Sequence, residues 1–351
     1  MFTAKKLIPL LLLFGLVLGS TSCAEEPAHE ARRTILKFGT LIEVTLYDVE
    51  PALAQQALDQ IEANFNQYHA DWTSWQESPL TRLNEKLITG EAAEVPPSIL
   101  PLIEQSQILS QRSQGLFNPG INQLIRLWQI HRRDDPDIHP PTPQAIDEWL
   151  QKNPGMDDLI LEDSQLRSRN AALELNFGAF AKGYAIDLGL NYLNSLGIEN
   201  AVINAGGDLS VRGRHGERPW KIGIRHPRQD GIIAWLEAQD HESIFTSGDY
   251  ERFYFYEGKR YHHILDPRTG YPAEGTSSVT VIHADAGTAD AAATALFVAG
   301  PEQWQAIARS MGIEYVMLID VEGRIHMSPK MAQRIHFTED RTDHIVISES
   351  L

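Results

Sequence analysis

Short β-rich runs at 173–176, 201–204, 220–225, 244–246, 252–256, 278–282 and 315–320 fill the carboxyl half of this chain, interrupted by two helical stretches at 181–196 and 286–299. Strands grouped with separate helices, rather than alternating one for one, argue against a regular βαβ series and predict an α+β fold. The amino half reads differently. Residues 36–48 alternate around Ile42, Val44 and Leu46, as one half-buried strand should. Beyond Pro51, Leu53, Ala57, Ile61 and Phe65 recur every four residues and predict an amphipathic helix over 52–65, with a second over 98–111. Prolines and charges between 132 and 143 mark a surface loop.

Two lysines, Lys5 and Lys6, precede an apolar run from 7 to 18 and then Gly19, Ser20, Thr21 and Ser22, the layout of an export signal. A helix over that run is about 18 Å long at about 1.5 Å per residue, too short for a hydrocarbon core of about 30 Å. Cys23, the single cysteine of the 351 residues, follows directly. It resembles the acylated cysteine of bacterial lipoproteins, although Ser20 stands where that pattern has an aliphatic residue. An ordinary cleaved signal with an incidental cysteine is the plainer alternative. The expected organisation is a signal segment over 1–23, a flexible tether over 24–34 and one domain over 35–340. A formal net charge of −17 disfavours nucleic acid as a partner, because phosphate binding needs a basic face. The acidity reads as a solvated surface.

Four glycine-marked segments carry the chemistry. In 176–187, Asn176-Phe177-Gly178-Ala179-Phe180-Ala181-Lys182-Gly183 leads from a strand into a helix. A helix start suits phosphate oxygens and Lys182 adds charge, but the P-loop spacing is missing and close helix packing explains the glycines as well. Asn204-Ala205-Gly206-Gly207-Asp208 is a strand end that lets a ligand approach the main chain, or a plain turn. Thr246-Ser247-Gly248-Asp249-Tyr250-Glu251-Arg252 runs on to His262-His263-Ile264-Leu265-Asp266-Pro267-Arg268-Thr269-Gly270, where one histidine of the pair is a candidate base. In the alanine-rich helix after Asp285, Asp290 and Thr294 share a face one turn apart. A carboxylate and a hydroxyl are hard ligands suited to Mg²⁺, although such a pair is often a solvated feature.

Gly-Ala-x-Ala-Lys-Gly-Tyr-Ala-x-Asp, Gly-Gly-Asp, Thr-Ser-Gly-Asp-Tyr-Glu-Arg, His-Ile-x-Asp-Pro-Arg-Thr-Gly and Asp-x-x-x-Thr-Ala occur here in that order, and together they resemble the ApbE family of FAD:protein FMN transferases. The likeness extends to Phe38-Gly39-Thr40, to Ser78–Asn84 and to Gly115–Pro119. It implies a single large mixed domain of the T-fold-related ApbE type. It also implies Mg²⁺ held by the carbonyl of Ala179 with Asp290 and Thr294, and a flavin nucleotide met by Phe38, Trp75, Phe117, Asn118, Pro119, Asn176, Lys182, Asp249 and the His263-Ile264 region. His263 is then the expected general base. The implied reaction moves FMN from FAD to a threonine or serine hydroxyl of an exported or membrane-bound redox protein, releasing AMP. The site of action would be the periplasmic face of the inner membrane, with the chain anchored through Cys23. Three positions depart from the family pattern: Asn176 replaces a usual aspartate, Trp75 a common tyrosine, and Phe38 a frequent methionine. Hydrolysis of FAD to FMN and AMP, and flavin binding without turnover, are the alternatives.

Overall fold

The computed structural model describes residues 30–339 and 344–351, so the expected signal segment and residues 24–29 of the tether lie outside it. Its backbone is a nine-stranded sheet in which spatial order follows chain order. The strands are β1 (Glu30–Lys37), β2 (Thr40–Tyr47), β3 (Ala201–Ala205), β4 (Asp208–Arg212), β5 (Ser243–Gly248), β6 (Thr276–His283), β7 (Tyr315–Asp320), β8 (Ile325–Met327) and β9 (Ile345–Ile347). Neighbours are antiparallel except β8 and β9, which run parallel. The fold is α+β, as the grouping of strands and helices predicts.

Side chains of successive residues leave a strand on opposite faces, and the sheet uses both. Ile42, Val44, Ile203, Phe245, Val279, Val281, Val316 and Leu318 pack on one face with helices α1 (Pro51–Trp72), α6 (Ala181–Ser195) and α7 (Ala286–Met311). Leu209, Val211, Ile282, Met317 and Ile319 pack on the other, beneath a small sheet made of Trp220–Arg225, Ile232–Ala238 and His336–Phe337. Each large apolar side chain fully buried in these layers contributes about 1.5–3 kcal/mol. A lobe of α2 (Pro79–Thr89), α3 (Leu100–Arg112), α4 (Asn122–Trp128) and α5 (Pro143–Lys152) lies between β2 and β3 in the chain. No helix among the described residues is long and apolar enough to cross a membrane.

Four expectations need correction. The run 36–48 is the end of one strand, a two-residue turn and a second strand, because Phe38 (φ 53°) and Gly39 (φ 74°) adopt left-handed conformations and reverse the chain. β1 begins at Glu30, inside the stretch read as a tether. β9 extends the sheet beyond residue 340. Residues 173–176 form no strand. Asn84 takes the place of a strand partner there, accepting from Leu175 N at 2.7 Å and donating to Leu175 O at 2.9 Å, and a lone bridge joins Ile121 to Glu174.

Candidate active site

Helices α6 and α7 cross where neither backbone carries a side chain. A Cβ on Gly183 would lie 2.2 Å from the Ala286 carbonyl oxygen. One on Gly287 would lie 2.8 Å from the Phe180 ring. Asp187 of α6 locks the crossing, its two oxygens accepting from Ala286 N at 3.0 Å and Gly287 N at 2.9 Å at the start of α7. Burial, with the nearby Asp285 charge, pushes the Asp187 carboxyl up to about 7.

This close approach brings Asp290 to the first turn of α6. Its Oδ2 accepts from Gly183 N at 3.1 Å, and its oxygens lie 3.2 and 3.4 Å from the Lys182 ammonium. Gly183 is the third residue of α6, where an amide has no partner within its own helix, and Asp290 satisfies it from α7; the first bond of α6 runs from Tyr184 N to the Phe180 carbonyl. The Ala179 carbonyl, just before the helix, accepts from no N–H among the described residues. Lys182 also donates to Asp208 Oδ2 at 2.7 Å, while Asp208 Oδ1 accepts from Thr246 N at 2.8 Å. Burial alone would lower the Lys182 ammonium, but Asp208 and Asp290 together raise it above its ordinary value. Burial, with Asp208 adding, raises the Asp290 carboxyl even against the opposing pull of Lys182. One turn on from Asp290, the Thr294 hydroxyl lies 3.2 Å from that of Ser247.

The two adjacent histidines separate into distinct roles. His262 is buried, with Nε2 on the Ala273 carbonyl at 2.9 Å and Nδ1 facing Ile264 N at 3.3 Å, so both ring nitrogens serve the fold. His263 Nδ1 lies 3.2 Å from the Arg252 carbonyl, which accepts its proton and leaves Nε2 bare. Burial first, then the Arg252 and His262 charges, hold this imidazole well below its usual pKa, and Lys182 is near enough to add to the effect. The segment carrying His263 is braced by Trp128, whose indole N–H donates to the Gly270 carbonyl at 2.8 Å.

The remaining predicted residues divide between lining and support. Trp75 is half exposed and rests on the His131 ring, centroids 4.5 Å apart. Phe38 sits at the β1–β2 turn against Phe65, His69 and Trp72. Asn176 is committed to the fold: Nδ2 donates to Ser74 Oγ and Asn122 Oδ1, each at 2.8 Å, and Oδ1 accepts from Gly178 N at 2.8 Å. An aspartate could not make the two donations. Phe117 is buried against Phe180. Asn118 donates to the Pro154 carbonyl at 2.9 Å, and the Pro119 carbonyl accepts from Asn176 N at 2.8 Å. Asp249 is buried, both oxygens held by Arg228 at 2.7 and 2.8 Å and one also by Arg260 at 2.5 Å. Ile264 is buried beneath His263. Sequence reasoning missed Asp208 as the partner of Lys182, Ser247 as that of Thr294, and Arg252. The first two pairs join residues 26 and 47 positions apart, with no local pattern to reveal them.

The donor chemistry of the three expected metal ligands suits a hard divalent cation, and in this structure the Asp290 oxygens are engaged by Lys182 and Gly183 N. No group of three His, Cys, Asp or Glu side chains able to hold a metal occurs among the described residues. The carbonyl, carboxylate and hydroxyl of Ala179, Asp290 and Thr294 are instead the sparse oxygen donors that Mg²⁺ accepts when water and phosphate complete its shell. A groove of about 850 Å³ lined by Arg212, Asp240 and Arg334 lies at the Arg212 end of β4, away from Asp208 and this chemistry.

The ApbE family model matches residues 38–317. A Rhodobacter capsulatus protein named as an FAD:protein FMN transferase is 39% identical over 331 residues, covering 94% of this chain; the chain spans 63% of that relative's length. Among solved structures, the Thermotoga maritima ApbE protein superposes with a TM-score of 0.79 at 29% identity, over 90% of this chain and 100% of that one. The flavin transferase ApbE from Vibrio cholerae gives 0.77 at 26% identity, over 88% and 100%.

Proposed function

Since this chain belongs to the ApbE family, we propose that it is an FAD:protein FMN transferase. Its substrates would be FAD and a threonine or serine hydroxyl of an acceptor protein, with AMP released. The observation that carries this reading is His263: a neutral imidazole with Nδ1 committed to a carbonyl and a bare Nε2, close enough to feel the Lys182 charge. His263 Nε2 takes the hydroxyl proton as the acceptor oxygen forms its bond to the FMN phosphorus. The bond from that phosphorus to the bridging oxygen breaks, and AMP leaves with the electron pair. Lys182, held by Asp208 and Asp290, keeps a fixed positive charge at the start of α6, where the helix dipole also favours phosphate. Ala179, Asp290 and Thr294 would hold Mg²⁺, which when bound draws charge off the diphosphate.

The acceptor class follows from the amino terminus. Lys5, Lys6, the apolar run 7–18 and Cys23 support export and a lipid anchor on the periplasmic face of the inner membrane.

The test is incubation with FAD, Mg²⁺ and a candidate redox subunit, reading the acceptor for a mass gain equal to FMN. Chelation is expected to stop labelling and added Mg²⁺ to restore it. Asp290→Asn keeps an acceptor for Gly183 N but loses the charge, and is expected to lower the rate by about 100-fold or more, consistent with several kcal/mol from a bound metal. Undiminished labelling in chelator, or in that variant, would refute the metal assignment. AMP release that is the same with and without acceptor protein would replace transfer by hydrolysis.

A further inference from the structure

The strands Phe253–Tyr256 and Lys259–His262 form a hairpin in which Phe253 faces His262. The pairing continues one step outward, where His263 N donates to the Arg252 carbonyl at 3.0 Å. Residues opposite one another in an antiparallel pair send their side chains to the same face, with Cβ atoms about 5 Å apart. The Arg252 guanidinium therefore rises beside the proposed base.

Arginines around it are already committed. Arg225 reaches Glu251 at 3.6 Å, Arg228 and Arg260 hold Asp249, and Arg268 holds Asp266 at 2.8 Å. Arg252 has neither an ion pair nor a side-chain hydrogen bond among the described residues, and Arg133, in the loop after α4, has none either. Arg252 and Arg133 are both exposed to solvent. Desolvation, followed by the Arg133 charge, lowers the Arg252 guanidinium from the ordinary value. In a chain with a formal net charge of −17, an arginine beside the proposed base that makes no direct ion pair is suited to an external anion.

We propose that Arg252 forms a second oxyanion clamp for the diphosphate of FAD, distinct from Lys182. A planar guanidinium presents paired donors that match phosphoryl oxygens, and it stays charged beside a base that must stay neutral. Lys182 is already shared between two carboxylates. The clamp rests on the proposed reaction, but binding can test it without turnover.

The experiment measures affinities for FAD, FMN, AMP and riboflavin with Mg²⁺ present, for the wild-type chain and for Arg252→Ala and Arg252→Lys. Arg252→Ala is expected to weaken FAD by about tenfold or more, as befits a lost charge-assisted hydrogen bond. Riboflavin, which lacks phosphate, should bind as before, and lysine should recover part of the loss. If AMP weakens and FMN does not, the clamp holds the adenylate phosphate; the converse places it on the flavin phosphate. Unchanged FAD affinity, or an equal loss for riboflavin, would overturn the proposal. Normal nucleotide binding with no labelling of acceptor would count against the transfer reaction and leave the clamp standing.

Discussion

His263→Ala is expected to reduce the rate of FMN transfer by about 100- to 10,000-fold, the range for removing a positioned general base, while FAD affinity changes little. The reason lies in the tautomer: Nδ1–H is held by the Arg252 carbonyl, and the free lone pair is on Nε2. The same environment sets the pH response. Burial and the Arg252 charge depress the folded pKa below its ordinary value, so the imidazole stays unprotonated through neutrality. The rate should hold as pH falls past about 6.5 and drop once pH passes through the depressed value. Stability has the matching sign: the unfolded chain binds the proton first, so folding stability declines as pH drops below about 6.5. Single-turnover rates from pH 5 to 8 for the wild type and the variant provide the check. A variant rate within threefold of the wild type would remove His263 from the chemistry.

Gly183→Ala should cost about 3 kcal/mol or more of folding free energy, at the upper end for overpacking. Its new Cβ would meet the Ala286 carbonyl oxygen at 2.2 Å, the Ala286 carbonyl carbon at 2.6 Å and Gly287 Cα at 2.9 Å. All three are backbone atoms, so no rotamer change relieves the contact and α6 must move off α7. That movement strains the bonds from Ala286 N and Gly287 N to Asp187, and pulls Gly183 N from Asp290. Whatever fraction folds should transfer no FMN. Gly155→Ala is the control, since nothing lies within 4 Å of its Cβ; it should stay within about 0.5 kcal/mol. Urea midpoints measure both, and a Gly183→Ala midpoint matching that of the wild type would show that the crossing has slack.

The legible part of this molecule is what repeats at short range. Short β-rich runs placed β3, β5, β6 and β7 and the four-residue spacing placed α1, although β6 and β7 bury both faces of the sheet. The β1–β2 turn escaped because Phe38 occupies a left-handed turn position where asparagine or glycine would have signalled it, and the apolar pattern ran on unbroken. Residues 173–176 looked like a strand because Leu173 and Leu175 alternate with Glu174 and Asn176, yet Leu175 is satisfied by the Asn84 side chain, a partner 91 residues away. In the site, Lys182, Asp290, Thr294 and His263 were readable as residue types in motifs. That Asn176 and Asp249 are committed to neighbouring protein groups, and that Arg252 is uncommitted, depends on register and on partners distant in the chain.

Because the Gly183 amide, an orphan donor in the opening turn of α6, is taken up by a carboxylate from another helix, that turn is pinned to α7 from outside its own backbone. The amide proton of Gly183 should accordingly exchange slowly with or without magnesium, a sign that rigidity at this spot precedes occupancy.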